Sequence, residues 1–321
     1  MTHAIAQIFW IVLPVFGLIG LGYLASRTGY LSEQIGEGLG DFVFKVAIPL
    51  LLFKTLATAE FAGHSPWLLW LSYYSGLGVT WALAYLLIRR VFGRDEKAGI
   101  IAGISASYPN AVLLGLPLVF TALGEEGGVP LLMIVAIQLP LMMTASTVLI
   151  AWAEQRDGTA TQALSAAALA RHVVVNLARN PLVIGIVAGS AWRALELPYA
   201  GPLEILGDRI AIVALPCALF ALGMSLTKYG IRGHILPAVV ITVVKLVVMP
   251  AIVWVLSALV FGLPPLVVVV ATLVAACPTG VNAWLIANRF RTGLAISANS
   301  ITLTDAASVL TLSIWLWLLG F

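Results

Sequence analysis

The chain has 321 residues, of which 61% are hydrophobic and 10% charged, against roughly 45–50% and 25% for a soluble domain, so most of its surface must meet lipid rather than water. The net charge of +3 comes from 17 basic and 14 acidic side chains dispersed along the chain, which argues against the basic stripe of a nucleic-acid binder. Cys217 and Cys277 are the only cysteines and both lie in apolar runs, so neither a disulfide framework nor a thiolate metal cluster is expected.

Runs of about 20 apolar residues bounded by charge, Gly or Pro predict ten helices, near 5–26, 38–58, 67–91, 98–121, 129–152, 181–197, 204–226, 235–261, 265–288 and 296–319. The first run is longer than the core of a signal peptide and has only His3 before it, so it is expected to be a retained helix. The polar stretch 153–180 carries Glu154, Arg156, Asp157, Arg171, His172 and Arg179. It divides the chain into a first five-helix set (1–152), a connecting loop (153–180) and a second five-helix set (181–321).

Basic residues resist translocation and collect on the cytoplasmic side. The odd-numbered loops hold twelve: Arg27; Arg89, Arg90, Arg94 and Lys97; Arg156, Arg171 and Arg179; Lys228 and Arg232; Arg289 and Arg291. The even-numbered loops hold two, Lys54 and Arg193. Both termini are therefore expected on the non-cytoplasmic side of the cytoplasmic (inner) membrane, and an odd number of helices per half makes the halves inverted. The halves are also alike in sequence: LGDFVFKVAIPLLLF at 39–53 and LGDRIAIVALPCALF at 206–220 match at eight of fifteen positions without a gap. The same offset of 167 pairs Pro14 with Pro181. An all-α integral membrane fold of ten transmembrane helices in two inverted five-helix repeats follows, an arrangement typical of transporters.

In a lipid core a helix breaks only where protein or a water-filled cavity receives the freed backbone groups. Helix four reads ISASYPNAVLLGLP at 104–117, and helix nine reads AACPTGVNAWLIAN at 275–288. Pro109 and Pro278 are 169 apart, close to the repeat offset, which predicts two broken helices crossing near the bilayer midplane. The candidate substrate-binding residues are Ser107, Pro109 and Asn110 on helix four, Pro278, Thr279, Gly280 and Asn282 on helix nine, and Gln138 on helix five. Half-helix N-termini present N–H groups and about half a positive charge each, which favours a carboxylate or another anion. The alternatives are two proline kinks that serve only packing, and a Gln that is ordinary interhelical glue.

Charges within the spans are the second signal. Asp41 and Lys45 lie four apart on one face of helix two, where pairing would offset their desolvation; such a pair is either coupling machinery or a structural salt bridge, and the alternative is that Asp41 lies close enough to the helix end to be solvated. Asp208 is the repeat mate of Asp41 and is followed by Arg209. Asp305, in ITLTDAASVL of helix ten, has no adjacent basic residue, so it is expected to be protonated, or held by a cation or a lysine from another helix. Lys245 in helix eight pairs with Asp305 or snorkels. The spacings Gly36/Gly40 and Gly185/Gly189, with Gly17, Gly20 and Gly22, suit close helix approach within a scaffold, in a dimer face or inside one subunit.

The helix-two segment ending IPLLLF, NPLV at 180–183, ALPCALFALGMSL in helix seven, and the broken PNAVLLGLP and CPTGVNAWLIAN segments together resemble the auxin efflux carrier family, and its bacterial malonate or malate permease-like branch most. The resemblance spans nearly the whole chain. It implies a scaffold of helices one, two, six and seven, a transport domain of helices three to five and eight to ten, homodimerisation through the scaffold, and elevator-type alternating access for a small organic anion. It also implies a supporting role for an Asp and a Lys four apart in helix two, which Asp41 and Lys45 match. The 153–180 loop is far shorter than that of the plant members, which argues against auxin as the substrate. No cofactor or metal is expected. An enzyme is not expected either, since neither HExxH nor GxSxG occurs and His3, His64, His172 and His234 fall in tails or loops. The nearest alternative is a sodium- or proton-coupled carrier of the bile-acid-transporter or antiporter type.

Overall fold

The structure is a computed structural model that describes residues 2–58, 66–158, 171, 174–175, 177–231, 233 and 235–321, the side chains of 2–4 excepted. Most of the expected loop residues 159–176, together with Arg232, His64, His172, His234 and the side chain of His3, lie outside the described residues. The regular elements among the described residues are all helices. Its elements are α1 (Thr2–Arg27), α2 (Glu33–Phe42), α3 (Ile48–Thr58), α4 (Pro66–Arg90), α5 (Glu96–Ser107), α6 (Leu116–Leu123) and α7 (Gly128–Arg156). They continue as α8 (Pro181–Ala194), α9 (Pro202–Leu226), α10 (Leu236–Val243), α11 (Met249–Trp254), α12 (Pro265–Ala276), α13 (Asn282–Arg289) and α14 (Leu294–Leu318).

Wider π-helical turns join several of these: Val43–Ala47 between α2 and α3, Ala111–Gly115 before α6, Val244–Val248 between α10 and α11, and Val255–Val260 after α11. Pro49 and Pro250, just after two of these turns, are the local cause, because a proline cannot supply the N–H of the regular ladder. Among the described residues, six stretches are long and apolar enough to cross a membrane: Ile5–Arg27, Pro66–Arg90, Ala111–Arg156, Pro202–Leu226, Leu236–Val260 and Leu294–Leu318. α8 and α12 are shorter apolar helices. Trp10, Ile212 and Leu310 are 69–73% exposed, as suits a surface covered by lipid or by another protein chain.

Two helix pairs are drawn together by glycine. α1 packs on α9, where a side chain at Gly22 would strike the Phe220 carbonyl and one at Gly223 the Ile19 carbonyl. α3 packs on α8, where Gly185 faces the Pro49 carbonyl and Gly189 the Phe53 carbonyl. The Gly185/Gly189 spacing thus serves close helix packing within one chain. Gly36 rests on Met224, while Gly17, Gly20 and Gly40 have nothing close to them.

Polar clusters pin the helix ends. Glu96, 6% exposed, accepts from the Tyr85 hydroxyl and lies 3.1 Å from Arg89 and 3.6 Å from Arg156, tying together α4, α5 and α7. α5 starts with an N-cap, the Asp95 carboxylate accepting from the Ala98 amide at 2.7 Å. Elsewhere Lys54 on α3 pairs with Asp208 on α9 at 3.0 Å. The Tyr199 hydroxyl also donates to Asp208, at 3.3 Å. Burial, then the neighbouring Asp208 charge, pushes this phenol up to about 12, so it stays a donor at neutral pH. Asp208 is thus partnered by Lys54 and Tyr199.

Candidate functional site

The two predicted breaks occur, and they meet. α5 stops at Ser107 because the ring of Pro109 removes a donor and clashes with the preceding turn, and because a residue before proline avoids the helical region. Tyr108 accordingly lies at φ −105°, ψ 93°, and Cys277, before Pro278, at φ −59°, ψ 149°. The two short extended segments run antiparallel and bridge at Pro109 and Thr279. The Asn110 amide donates to the Pro278 carbonyl at 2.8 Å, and the Gly280 amide to the Tyr108 carbonyl at 2.8 Å. A Cβ on Gly280 would stand 3.2 Å from the Pro109 carbonyl oxygen, so the crossing is close enough to demand a small residue there.

Breaking two helices in a buried place frees backbone groups that must find partners. The Thr279 hydroxyl donates to the Ser105 carbonyl at 2.7 Å, and the Thr279 amide donates to the Thr304 hydroxyl of α14 at 3.0 Å. The Gln138 side-chain amide donates to the Pro109 carbonyl at 2.9 Å. The fully buried Lys245 amino group donates to the Ala275 carbonyl at 2.6 Å, at the C-terminal end of α12. Lys245 therefore neither pairs with Asp305 nor snorkels, the two outcomes open from sequence. Ser107 turns back on its own helix, donating to the Gly103 carbonyl at 2.7 Å.

The second half-helices begin at this crossing. Asn110 caps the first, its Oδ1 accepting from the Leu113 amide at 3.3 Å, while the Ala111 amide is held by the Pro109 carbonyl at 2.9 Å. Several of the N–H groups expected to face a ligand are thus already used. What this end keeps for a ligand is its dipole and the Asn110 Nδ2, which is buried and without a partner. The Gln138 Oε1 is likewise buried and unpartnered. Asn282, the first residue of α13, donates to the Tyr108 hydroxyl at 2.9 Å and so latches the two broken helices across the crossing. Asn282→Ala and Tyr108→Phe should each lower thermal stability by about 0.5–1.5 kcal/mol, and the double variant should lose little more than either single one. Additive losses in detergent melting curves would mean that the contact carries no energy.

Pro109, Asn110, Gln138, Pro278, Thr279, Gly280 and Asn282 are therefore brought together, with Ser107 one turn back. Asp41 and Lys45 are paired with each other at 2.5 Å on the α2 side, but their side chains are 67% and 60% exposed. Little of the protein therefore packs over this pair. Asp305 is buried in the middle of α14, next to Thr304 of the crossing, and its Oδ2 has no partner. Sequence reading passed over Tyr73, whose hydroxyl is buried and unpartnered near Tyr108 and Cys277, and over Thr304. Tyr108 stood inside the quoted motif, but an aromatic before a proline carries no signal of which way its hydroxyl points.

The family model of "Membrane transport protein" matches residues 7–316. The "Putative malonate transporter" of Rhizobium meliloti (strain 1021) is 29% identical over 98% of this chain and 96% of its own length. "Auxin efflux carrier component 8" of Arabidopsis thaliana is 32% identical over 39% of this chain and 35% of its own. The "Lysosomal cholesterol signaling protein" of Mus musculus is 27% identical over 78% of this chain and 30% of its own length.

Proposed function

Because this chain belongs to the membrane transport protein family, which includes the auxin efflux carriers, we propose that it carries a small organic anion, a mono- or dicarboxylate, across the cytoplasmic membrane. The observation that carries the reading is the crossing of two broken helices, with an unpartnered amide donor on Asn110 and an unpartnered acceptor on Gln138 beside it. A carboxylate accepts from the Asn110 Nδ2 and is favoured by the half-helix dipole. The Gln138 Oε1 suits a protonated carboxyl or hydroxyl of the same ligand.

In this reading the chain crosses the membrane ten times as two inverted five-helix repeats, joined by the cytoplasmic 153–180 segment. α1, α2–α3, α8 and α9 form a scaffold through which two copies pair. The remaining helices carry the crossing from one side to the other as an elevator. The glycine-drawn contacts of α1 with α9 and of α3 with α8 support the scaffold, since each joins helices from different halves. Asp41 and Lys45 serve as a support pair on its exposed face. The malonate in the name of the Rhizobium relative makes malonate the first probe.

The test is uptake of labelled malonate and related mono- and dicarboxylates by proteoliposomes, with pH, sodium and potential imposed separately. Saturable uptake of at least one of them is expected, and no uptake of any would overturn the proposal. Orientation has its own check, since both termini should face away from the cytoplasm. A cysteine added after Phe321 should react with an impermeant thiol reagent in cells whose inner membrane is intact. Reaction only after that membrane is lysed would reverse the orientation and the inversion with it.

A further inference from the structure

Away from the crossing, α1, the segment after α9 and α14 enclose a cavity of about 540 Å³ lined by Ile19, Tyr23, Arg27, Tyr229, Thr302 and Asp305, among others. Asp305 is 7% exposed, and its Oδ2 is fully buried with no hydrogen-bond partner. A lone ionised carboxylate in such a place is costly unless it is paired or protonated. Few charged or titratable groups face it: Tyr23 and Arg27 from α1, Tyr229 from the segment after α9, and Cys277 from the crossing. Lys245, on the π turn packed against α14, is the next basic group and is held on the Ala275 carbonyl. Arg27 lines the cavity but makes no ion pair with Asp305 among the described residues. A metal cation would need several oxygen ligands. No group of three or more His, Cys, Asp or Glu side chains gathers among the described residues.

We infer that Asp305 is a proton-binding site of the transport cycle, opening through the α1/α14 cavity towards the side of Arg27 and Tyr229. The inference rests on the transporter reading and deepens it. Asp305 has two neighbours that matter. Thr304, one residue before it, holds the Thr279 amide of the crossing, so a shift of α14 moves the substrate site with it. Phe16, Ile19 and Gly20 of α1, on the other wall of the cavity, belong to the proposed scaffold. Gly20 has nothing within 4 Å of where a side chain would start, which leaves that wall smooth. With its proton bound, Asp305 presents a neutral carboxyl that can slide past this apolar wall. With the proton lost to water in the cavity, the carboxylate stays where water and Arg27 can reach it. The only bond made or broken is the O–H bond of the carboxyl, with water on either side as donor and acceptor.

The test begins with a readout that does not depend on transport. Infrared difference spectra of the reconstituted full chain, between acidic and alkaline buffer, should show, besides the band of the hydrated Asp and Glu side chains, a separate higher-frequency C=O band of an unhydrated carboxyl that titrates. Asp305→Asn should remove that band and Asp305→Glu should shift it, while Asp41→Asn should leave it. In proteoliposomes, labelled malonate accumulation driven by an imposed pH gradient should fall at least tenfold in Asp305→Asn and partly recover in Asp305→Glu. Absence of this higher-frequency titrating band in the wild type, its persistence in Asp305→Asn, or wild-type gradient-driven accumulation in Asp305→Asn would each overturn the inference. The wild-type spectrum decides even if Asp305→Asn fails to fold. Failure of the wild type to take up any carboxylate would instead count against the transporter reading, which the spectra do not touch.

Discussion

Asn110→Ala should weaken binding of the transported anion by about 5- to 150-fold, the equivalent of roughly 1–3 kcal/mol for a hydrogen bond to a charged group. The side chain of Asn110 does two separate things. Its Oδ1 caps the half-helix at the Leu113 amide, 3.3 Å away, while its Nδ2 is buried with nothing to donate to. An unpartnered buried donor costs free energy in the empty protein, so a ligand that accepts from it gains that penalty back as affinity. Asn110→Asp separates the two roles, since it keeps an acceptor for the cap but replaces the donor with a negative charge. It should preserve the melting temperature better than Asn110→Ala and bind the anion less well. Equilibrium binding of labelled malonate to the purified protein reads the first effect, and thermal melting the second. Wild-type affinity in both variants would move the substrate site away from Asn110.

Pro109 and Pro278 made both helix breaks legible, because the covalent chemistry of proline acts locally and does not need the rest of the fold. That the two breaks would meet followed from their near-repeat spacing. The register differs slightly: the bridge joins Pro109 to Thr279, an offset of 170, where the helix-two and helix-seven segments repeat at 167. The partners of the freed backbone groups were not legible. Lys245 reaches the Ala275 carbonyl across thirty residues, and Thr304 receives the Thr279 amide across twenty-five. Such contacts depend on how separate helices rotate against one another, which no local spacing encodes. The Asp41/Lys45 pair illustrates the opposite limit. Its i, i+4 spacing fixes the ion pair, but the side of the helix that faces outward is a tertiary property, and the pair is mostly exposed. Asp305, by contrast, is buried and its Oδ2 has no partner.

Gly185→Ala should destabilise the protein by about 1–3 kcal/mol, the usual cost of forcing extra atoms into a packed contact, whereas the same change at Gly78 should be neutral or stabilising by up to about 1 kcal/mol. Both glycines lie inside helices, Gly185 in α8 and Gly78 in α4. Alanine is the better helix former, so local propensity favours both substitutions equally. The surroundings differ. Nothing lies within 4 Å of a Cβ built at Gly78, but one at Gly185 runs into the Pro49 carbonyl of α3. One turn further on, a Cβ at Gly189 would stand 2.5 Å from the Phe53 carbonyl oxygen. Backbone cannot rotate out of the way as a side chain can, so α3 and α8 must separate along the whole contact. Phe53 packs edge-on against Trp192 at 5.6 Å, a further contact that such a separation would loosen. Adding the second substitution, Gly189→Ala, should cost less than the first, because helices already pushed apart have room for it. Equal melting temperatures for Gly185→Ala and Gly78→Ala would mean that α3 and α8 are not in backbone contact, and would remove the close pairing across the two halves on which the scaffold reading relies.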